Sequence, residues 1–311
     1  RVIAAQQMTS VLSNTQSNSG AVTATMTTPT SADAPQVSVN VTTITGDSAI
    51  DVSSNTMRAQ ATGLSADNRS AISAASLTDF AAVTANYQDQ SGVILANLAA
   101  PQFSITATSA AGSLTTDGNI GVASATGTTA TNRLSLTADT SIAGVASGLT
   151  TKSVTMASST LSDGTNTTSL LNSQSGSADV TAQIVGTSAA GDVLIGTTLT
   201  GALTGSVSAD SNILVTQARG NIADSAYTMT AGTSITDATQ GLLASSQTRS
   251  GGDLVSDISN STLGKLGVDI GGNVTGAVSV SNNTVRATGT ANLALNSMSI
   301  SAASGIDQTA A

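Results

Sequence analysis

Apolar and polar residues alternate with a period of two in many short segments of the chain. Each segment places apolar side chains on one side and Ser, Thr or Asn on the other, as in a β-strand with one buried face. Turn dipeptides such as Asp117-Gly118 and Asp163-Gly164 lie between such segments. The pattern therefore predicts an all-β chain, with the clearest strands at residues 37–41, 103–107, 134–136, 278–280 and 298–300.

The start of the chain has a different pattern. Val2, Ile3 and the run Gln6-Gln7-Met8 are spaced as in a short amphipathic segment. This pattern predicts a short N-terminal helix within residues 1–11.

Two markers recur four times in the same order along the chain. The first is a Gln followed within a few residues by Ser-Gly, and an apolar segment follows each copy. The second begins with Asn and ends with Gly, and its fourth copy is two residues shorter than the others. Four copies in one order are strong evidence of a duplicated unit. The first marker has its glycines at Gly20, Gly92, Gly176 and Gly251, and the second starts at Asn55, Asn119, Asn212 and Asn283.

These markers predict how the chain is divided. An N-terminal segment precedes four long degenerate repeats, and a less regular stretch separates the second repeat from the third as an insertion or a linker coil. The boundaries are 1–15 for the N-terminal segment, 16–78 and 79–142 for repeats 1 and 2, 143–173 for the insertion, 174–244 for repeat 3, and 245–311 for repeat 4 with the C-terminal tail.

The composition decides between two architectures for such repeats. Aromatic residues dominate the energetics of ordinary cores, and this chain has four of them, Phe80, Tyr87, Phe103 and Tyr227. Four separate sandwich domains would have poor cores, and domains of that size are already marginal. A β-solenoid stacks each coil on its neighbours, so Ala, Val, Thr and Ser suffice for a narrow interior. The sequence therefore predicts a repetitive, β-helix-like solenoid.

The dimensions of the predicted solenoid follow from strand geometry. At about 20 residues per coil, about 15 coils would rise about 70 Å with a strand spacing of about 4.8 Å. Stacked Asn and Thr side chains are expected to form ladders along the axis.

The composition also excludes most chemistry. The chain has no His, Cys, Trp or Glu, and its 18 acidic residues, all Asp, outnumber nine Lys and Arg, for a net charge of −9. Without His or Cys it lacks an imidazole proton shuttle, a thiol nucleophile and the usual ligands of zinc. The cations are scattered singly, so no basic patch for nucleic acid is expected. We therefore expect no enzyme, no catalytic residue, no cofactor and no metal site.

The enzymatic alternative is a carbohydrate-cleaving β-helix with paired Asp residues as acid and base. The closest pairs are Asp253 with Asp257 and Asp47 with Asp51, each four residues apart. Solvated carboxylates in turns are the more frequent explanation of such pairs. Residues 267–272 are weakly similar to a calcium-binding glycine repeat, but this pattern occurs once and not in tandem.

Four arginines near the repeat markers are conspicuous in a chain with so few charges. They allow two interpretations, contact with an acidic polysaccharide or solubilising charges on strand surfaces, and the second is favoured. Phe80 and Tyr87 are expected to pack a junction rather than to form a ligand platform. The four arginines are Arg58, Arg69, Arg133 and Arg286.

The ends of a solenoid bear on whether the protein assembles with other chains. Each end of a solenoid has unpaired backbone groups, and no charged or Pro-bearing cap follows Ile300. Completion of an end by another copy or by a fibre partner is therefore one expectation, and a frayed terminus is the other.

The apolar run at residues 93–96 is too short to cross a bilayer. A first residue other than Met suggests a processed N-terminus and a secreted protein.

The order of the markers resembles the repeats of holdfast-anchor surface proteins of stalked alphaproteobacteria. The resemblance rests on Gln-x-x-Ser-Gly, an apolar strand, and then Asn-Thr-(Met or Val)-Arg-Ala with a following Gly, from Gln16 to Ser301. The third copy departs from it, because Asn212 is followed by Ile-Leu-Val. The family implies a secreted protein, associated with the outer membrane, that tethers an adhesive polysaccharide to the cell beside a fibre-forming partner. It supplies no catalytic residues.

Together these observations predict a non-enzymatic extracellular structural protein, a rod or fibre subunit in bacterial surface attachment. The alternative is a carbohydrate-binding or carbohydrate-cleaving β-helix such as a viral tail protein. Expected partners are further copies stacked end to end or a fibre protein, with an acidic polysaccharide as a further candidate.

Overall fold

The computed structural model of the protein describes residues 8–27, 35–78, 80–143, 153–156, 159–162, 168–186, 193–236, 241–259 and 265–307. These residues form 26 strands and no helix, which confirms the predicted all-β class. The predicted N-terminal helix is wrong from Met8 onward, because Met8–Asn18 is a strand; residues 1–7 lie outside the described ranges. Pairing along all 11 residues of the neighbouring strand Phe80–Gln90 outweighs the weak helical tendency of so short a segment.

Twenty-four of the strands form four coils of six strands each, which confirms the predicted solenoid. Coil 1 contains β1 (Met8–Asn18), β2 (Val22–Met26), β3 (Gln36–Ile44), β4 (Ala49–Asp51), β5 (Thr56–Ala74) and β6 (Leu77–Thr78). Coil 2 contains β7 (Phe80–Gln90), β8 (Ile94–Ala99), β9 (Gln102–Ala110), β10 (Ser113–Thr115), β11 (Ile120–Ala138) and β12 (Ser141–Ala143).

The other two coils follow an excursion of the chain. Coil 3 contains β15 (Thr168–Gly176), β16 (Val180–Val185), β17 (Leu194–Leu199), β18 (Ser206–Ser208), β19 (Ile213–Ala231) and β20 (Ser234–Thr236). Coil 4 contains β21 (Gly241–Arg249), β22 (Leu254–Ser259), β23 (Lys265–Ile270), β24 (Ala277–Ser279), β25 (Thr284–Ala302) and β26 (Gly305–Asp307). The excursion includes an antiparallel hairpin of β13 (Ser153–Met156) and β14 (Ser159–Ser162), and β14 contacts β15.

Equivalent strands of successive coils pair in parallel and form six four-stranded sheets. We call these sheets A to F, in the order in which each coil contributes to them, so that sheet A contains β1, β7, β15 and β21. Each sheet runs from coil 1 to coil 4 without a crossover. One complete repeat therefore makes one coil.

The expected coil length of about 20 residues is wrong. Partners in adjacent coils are between 64 residues apart, as for Thr56 and Ile120, and 93 residues apart, as for Ile120 and Ile213. Four coils at about 4.8 Å place the outermost strands about 14 Å apart, whereas a 19-residue strand is about 60 Å long. The described residues thus form a broad, thin plate instead of the expected 70 Å rod. A 19-residue strand requires strands of comparable combined length opposite it, here those of sheets A and B, before the chain can close a coil.

The described residues contain two large cores and a small cluster of Val83, Ala85 and Leu171. Sheet E extends along one side, and sheets A and B lie opposite it. One core joins sheets B, C and D to the first half of sheet E, with Phe103 as its aromatic residue. The other joins sheet A to the second half of sheet E and to sheet F, and includes Phe80 and Tyr227. Much of the first core is alanine, in agreement with the predicted narrow interior of small side chains: Ala59, Ala61, Ala96, Ala107, Ala110, Ala123, Ala125, Ala182 and Ala218.

The register of the coils aligns the markers found in the sequence. The Gln of the first marker occupies one position of sheet A in all four coils. The fourth copy of the second marker is not shortened, because β25 has 19 residues like its three neighbours. Gly289 pairs with Ala218, and Thr290 pairs with Arg219, so Ala291 occupies the position of Gly220. The second marker looks shorter in its fourth copy only because its glycine, Gly289, stands two positions before the place that Gly220 takes in coil 3.

Candidate functional site

The two end faces of the solenoid consist of edge strands, each paired on one side only within the described residues. We define the coil-1 face as the free edges of β1–β6 and the coil-4 face as the free edges of β21–β26. Each face consists of six edge strands, one from each of sheets A to F. In an edge strand of a parallel sheet, about half of the residues point their N–H and C=O groups away from the sheet. Such edges are templates for pairing with further strands.

The coil-4 face also exposes the interior of the coil. Leu114 and Val207 are 0% and 2% exposed in coils 2 and 3, whereas Val278, the next residue of that column, is 47% exposed. Likewise Tyr227 is fully buried, and its coil-4 partner Met298 is 45% exposed. These side chains point into the coil interior and are exposed to solvent, because no further coil of the described residues packs on them.

The coil-1 face is open only in part, because Val52, Met57 and Leu77 are each 3% exposed. Val37 is half-exposed, although its neighbour Phe103 in the same column is fully buried. A cleft of about 610 Å³ opens between β2 and β5, with Met26, Arg58 and Ala59 in its lining. The apolar interior is thus broadly accessible at the coil-4 face and accessible at the coil-1 face only near β2 and β3.

A ladder of glutamine amides runs through the four coils inside the plate. Gln88 donates from Nε2 to Oε1 of Gln16 at 2.8 Å, Gln174 donates to Gln88 at 2.8 Å, and Gln247 donates to Gln174 at 2.7 Å. Every bond of this ladder points from a later coil to an earlier one. Gln16 uses one N–H on the carbonyl oxygen of Ser65. Its second N–H, and Oε1 of Gln247, have no partner among the described residues.

A second ladder, of asparagines, runs beside the first with the opposite polarity. Asn14 donates to Asn86 at 3.0 Å, Asn86 donates to Asn172 at 2.9 Å, and Asn172 donates to the hydroxyl of Ser245 at 3.1 Å. Asn68 of sheet E donates to Oδ1 of Asn86 as well, so this network joins the two opposite sides of the plate. The expectation that Asn side chains stack into ladders along the axis is therefore confirmed.

A third ladder lies at the start of sheet E. Asn55 donates from Nδ2 to Oδ1 of Asn119 at 3.0 Å, and Asn119 donates to Oδ1 of Asn212 at 3.1 Å. The backbone N–H of Asn212 then donates to Oδ1 of Asn283 at 2.8 Å. These are the four asparagines that begin the second sequence marker, so this marker identifies a structural ladder.

The ladder of Asn14, Asn86 and Asn172 was not predicted from the sequence, although the spacing of Asn and Gln along the chain indicates it. In three coils an Asn stands two residues before the marker Gln, and in the fourth Ser245 takes that place. Residues two apart on a strand share a face, so this spacing placed both amides in the interior.

Three of the four paired aspartates take part in hydrogen bonds. Asp253 donates its backbone N–H to Asp179 at 2.7 Å, and Asp257 accepts a hydrogen bond of 2.8 Å from Ser259. Asp47 is exposed in a turn, and Asp51 accepts a hydrogen bond from Ser53. The described residues contain no group of three acidic side chains placed to hold a metal ion. The segment compared with a calcium loop is mostly strand β23, paired with β17.

The four arginines lie on sheet E but do not form a cluster of free cations. Arg69 pairs with Asp67 at 2.8 Å and Arg133 pairs with Asp224 at 2.5 Å. Arg58 and Arg286 occupy one column, in coil 1 and coil 4, and valines of the two middle coils separate them.

The aromatic residues and the buried tyrosine have packing roles. Phe80 and Tyr87 are both buried in β7, so neither offers a platform to a ligand, as expected. Burial raises the pKa of Tyr227 to about 12, and its hydroxyl lies 2.7 Å from Oγ1 of Thr168.

Comparison of the chain with protein-family models, with curated proteins and with solved structures gave no match. The described residues include no helix of the length and apolarity needed to cross a bilayer.

Proposed function

We propose that this protein is a non-enzymatic structural subunit whose coils stack end to end into a rod or fibre. The observation that supports the proposal is the exposure of interior apolar columns at the coil-4 face, such as Val278, Val285 and Met298. Soluble proteins normally shield the edges of long sheets with charges, Pro, bulges or a covering segment. On the coil-4 face, β25 is a 19-residue edge strand with one charged residue, Arg286.

The proposal includes a place at the cell surface. A rod whose sides carry many Ser and Thr hydroxyls and few charges is suited to hydrogen-bond a polysaccharide along its length. Anchoring an adhesive polysaccharide to the envelope of a bacterium is the role that the resemblance implies, and we adopt it as the second part of the proposal. Co-sedimentation of assembled protein with alginate, an acidic polysaccharide, and with neutral dextran tests this part; sedimentation of neither polymer contradicts it.

Electron microscopy of the purified protein over a concentration series tests the assembly. We expect filaments with an axial repeat of about 19 Å, four coils at about 4.8 Å each. Single plates at every concentration contradict the proposal.

A pair of adjacent substitutions makes the test specific. Val285 points into the interior at the coil-4 face and is exposed, whereas Thr284 beside it points outward. Stacking would bury a lysine at position 285 without a partner, which is costly. Val285→Lys should therefore abolish filaments, and Thr284→Lys should leave them. Both variants should keep the thermal midpoint of the single plate, which shows that coil 4 remains folded.

A further inference from the structure

We infer that the coil-4 face binds the coil-1 face of a second copy, head to tail and in strand register. This inference rests on the proposed function and adds the identity of the partner surface, its direction and its alignment. Four steps lead to it, each from a different property of the end faces.

The first step is the direction in which the chain winds. Seen from outside the molecule, the chain runs around the coil-1 face in one sense and around the coil-4 face in the opposite sense. Two copies of the same face therefore cannot superpose all six strands, because turning one copy over reverses the order of its sheets. Translation along the axis superposes all six strands and continues every sheet in parallel.

The second step is the polarity of the glutamine ladder. Within the described ranges, one N–H of Gln16 at the coil-1 face and Oε1 of Gln247 at the coil-4 face have no partner. With the coil-1 face stacked on the coil-4 face, Gln16 of the second copy donates to Gln247 and continues the ladder in its own direction. Stacking two coil-4 faces would instead bring acceptor against acceptor.

The third step is the polarity of the asparagine ladders. At the coil-4 face, Ser245 accepts a bond from Asn172 and keeps its hydroxyl proton for Oδ1 of Asn14 of the second copy. At the start of sheet E, the backbone N–H of Asn283 is placed to donate to Asn55 of the second copy, as that of Asn212 does to Asn283. All three ladders thus match across the junction with the same direction of stacking.

The fourth step is the match of the apolar columns. In register, Val278 is covered by the half-buried Ile50 of the second copy, as their equivalents cover each other inside the plate. Met298 meets the small Ser70 and therefore has room. The register brings one pair of like charges together, Arg286 and Arg58, both on the exposed side of sheet E.

Site-directed cross-linking tests the direction and the register, because the protein has no cysteine of its own. Ala71 and Ser299 belong to one outward column of sheet E, in coil 1 and coil 4, and both are exposed. In the inferred stack, Ser299 lies beside Ala71 of the next copy, within the range of Cα distances that a disulfide spans. Ala71→Cys and Ser299→Cys are prepared as two separate variants and oxidised with copper–phenanthroline, which accepts the electrons of the two thiols.

The expected result is a disulfide-linked heterodimer in the mixture of the two variants and no dimer with either variant alone. Ser65→Cys is the control for register: it lies on the same face of β5 but six residues, about 20 Å, from Ala71. Its mixture with Ser299→Cys should give no heterodimer.

The outcomes separate this inference from the proposed function. Filaments with dimers of Ser299→Cys alone, or with the Ser65→Cys mixture, overturn head-to-tail, in-register stacking and leave the fibre proposal intact. Absence of filaments and of every cross-link at all concentrations overturns both. The matched heterodimer together with filaments supports both.

Discussion

At the scale of single residues, buried side-chain amides hold the coils in register. Asn86 is fully buried, accepts from Asn14 and Asn68 and donates to Asn172. A shift of one coil by a single residue would turn these amides outward and leave their partners unpaired in the interior. The ladders therefore specify one alignment of a chain whose small, similar side chains would tolerate several.

Replacement of Asn86 tests this role. Asn86→Ala removes three hydrogen bonds and leaves one N–H each of Asn14 and Asn68 without its partner, at about 1–3 kcal/mol for a buried group, whereas Oδ1 of Asn172 keeps its bond from Asn132. We expect a loss of several kcal/mol in the free energy of unfolding, measured by urea denaturation. Asn14→Ala, at the half-exposed end of the same ladder, should cost less than about 1 kcal/mol. Equal effects of the two substitutions would show that the ladder contributes little.

One glycine of sheet C is required by close contact between coils. Gly196 has φ of +144°, and a Cβ atom there would overlap the carbonyl oxygen of Gly267 in the next coil. Gly196→Ala should therefore lower the free energy of unfolding by more than about 3 kcal/mol. Gly305→Ala, where a Cβ atom has open space, should change it by less than about 0.5 kcal/mol. Urea denaturation of dilute protein compares them, and a mild effect at position 196 would contradict this packing.

At the scale of elements, hydroxyls and carboxylates connect the short strands of sheet D. Asp210, just after β18, accepts hydrogen bonds from Oγ of Ser279 at 2.6 Å and from the backbone N–H of Ser281. The Ser279 bond is the main cause of the lowered pKa of Asp210, followed by the bond from Ser281. The carboxylate thus joins coil 3 to coil 4 where the paired strands have only three residues each.

The pH dependence of stability follows from that pKa. A carboxyl group whose pKa is lower in the folded than in the unfolded protein stabilises the fold above its unfolded pKa of about 3.9. The contribution of Asp210 is therefore present at neutral pH and is lost as the pH falls through its lowered folded pKa. Thermal midpoints measured from pH 7 to pH 2 should decline less for Asp210→Asn than for the natural protein. Asp47→Asn, in an exposed turn, is the control, and its thermal midpoint should decline as that of the natural protein does. If the thermal midpoint of Asp210→Asn declines as much as that of the natural protein, the role of Asp210 is contradicted.

At the scale of the whole molecule, one pair of charges opposes assembly. Arg286 of one copy and Arg58 of the next are adjacent in the inferred stack, and both are exposed. Such pairs are worth about 0.2–1 kcal/mol and are screened by salt. Raising the ionic strength should therefore promote filaments of the natural protein.

Reversal of one charge gives the sharper test at this scale. Arg286→Asp places an anion beside Arg58 of the next copy and should lower the concentration at which filaments appear about two- to fivefold at low salt. Light scattering over a dilution series measures this onset. The double variant Arg58→Asp/Arg286→Asp restores like charges and should return the onset toward that of the natural protein. An onset that does not respond to either change would show that these residues do not meet.

The sequence by itself determined the all-β class and the four-fold repeat, because strand alternation and marker spacing are local properties of the chain. It also indicated the Gln16 and Asn55 columns, which proved to be ladders. The length of a coil, and with it the change from a rod to a plate, was decided by the tertiary structure. The number of residues in a coil depends on which distant strands face each other, and a local sequence pattern does not determine this pairing. The same holds for the end faces: Val278 and Val207 have similar sequence surroundings, and only their positions in the stack make one exposed and the other buried.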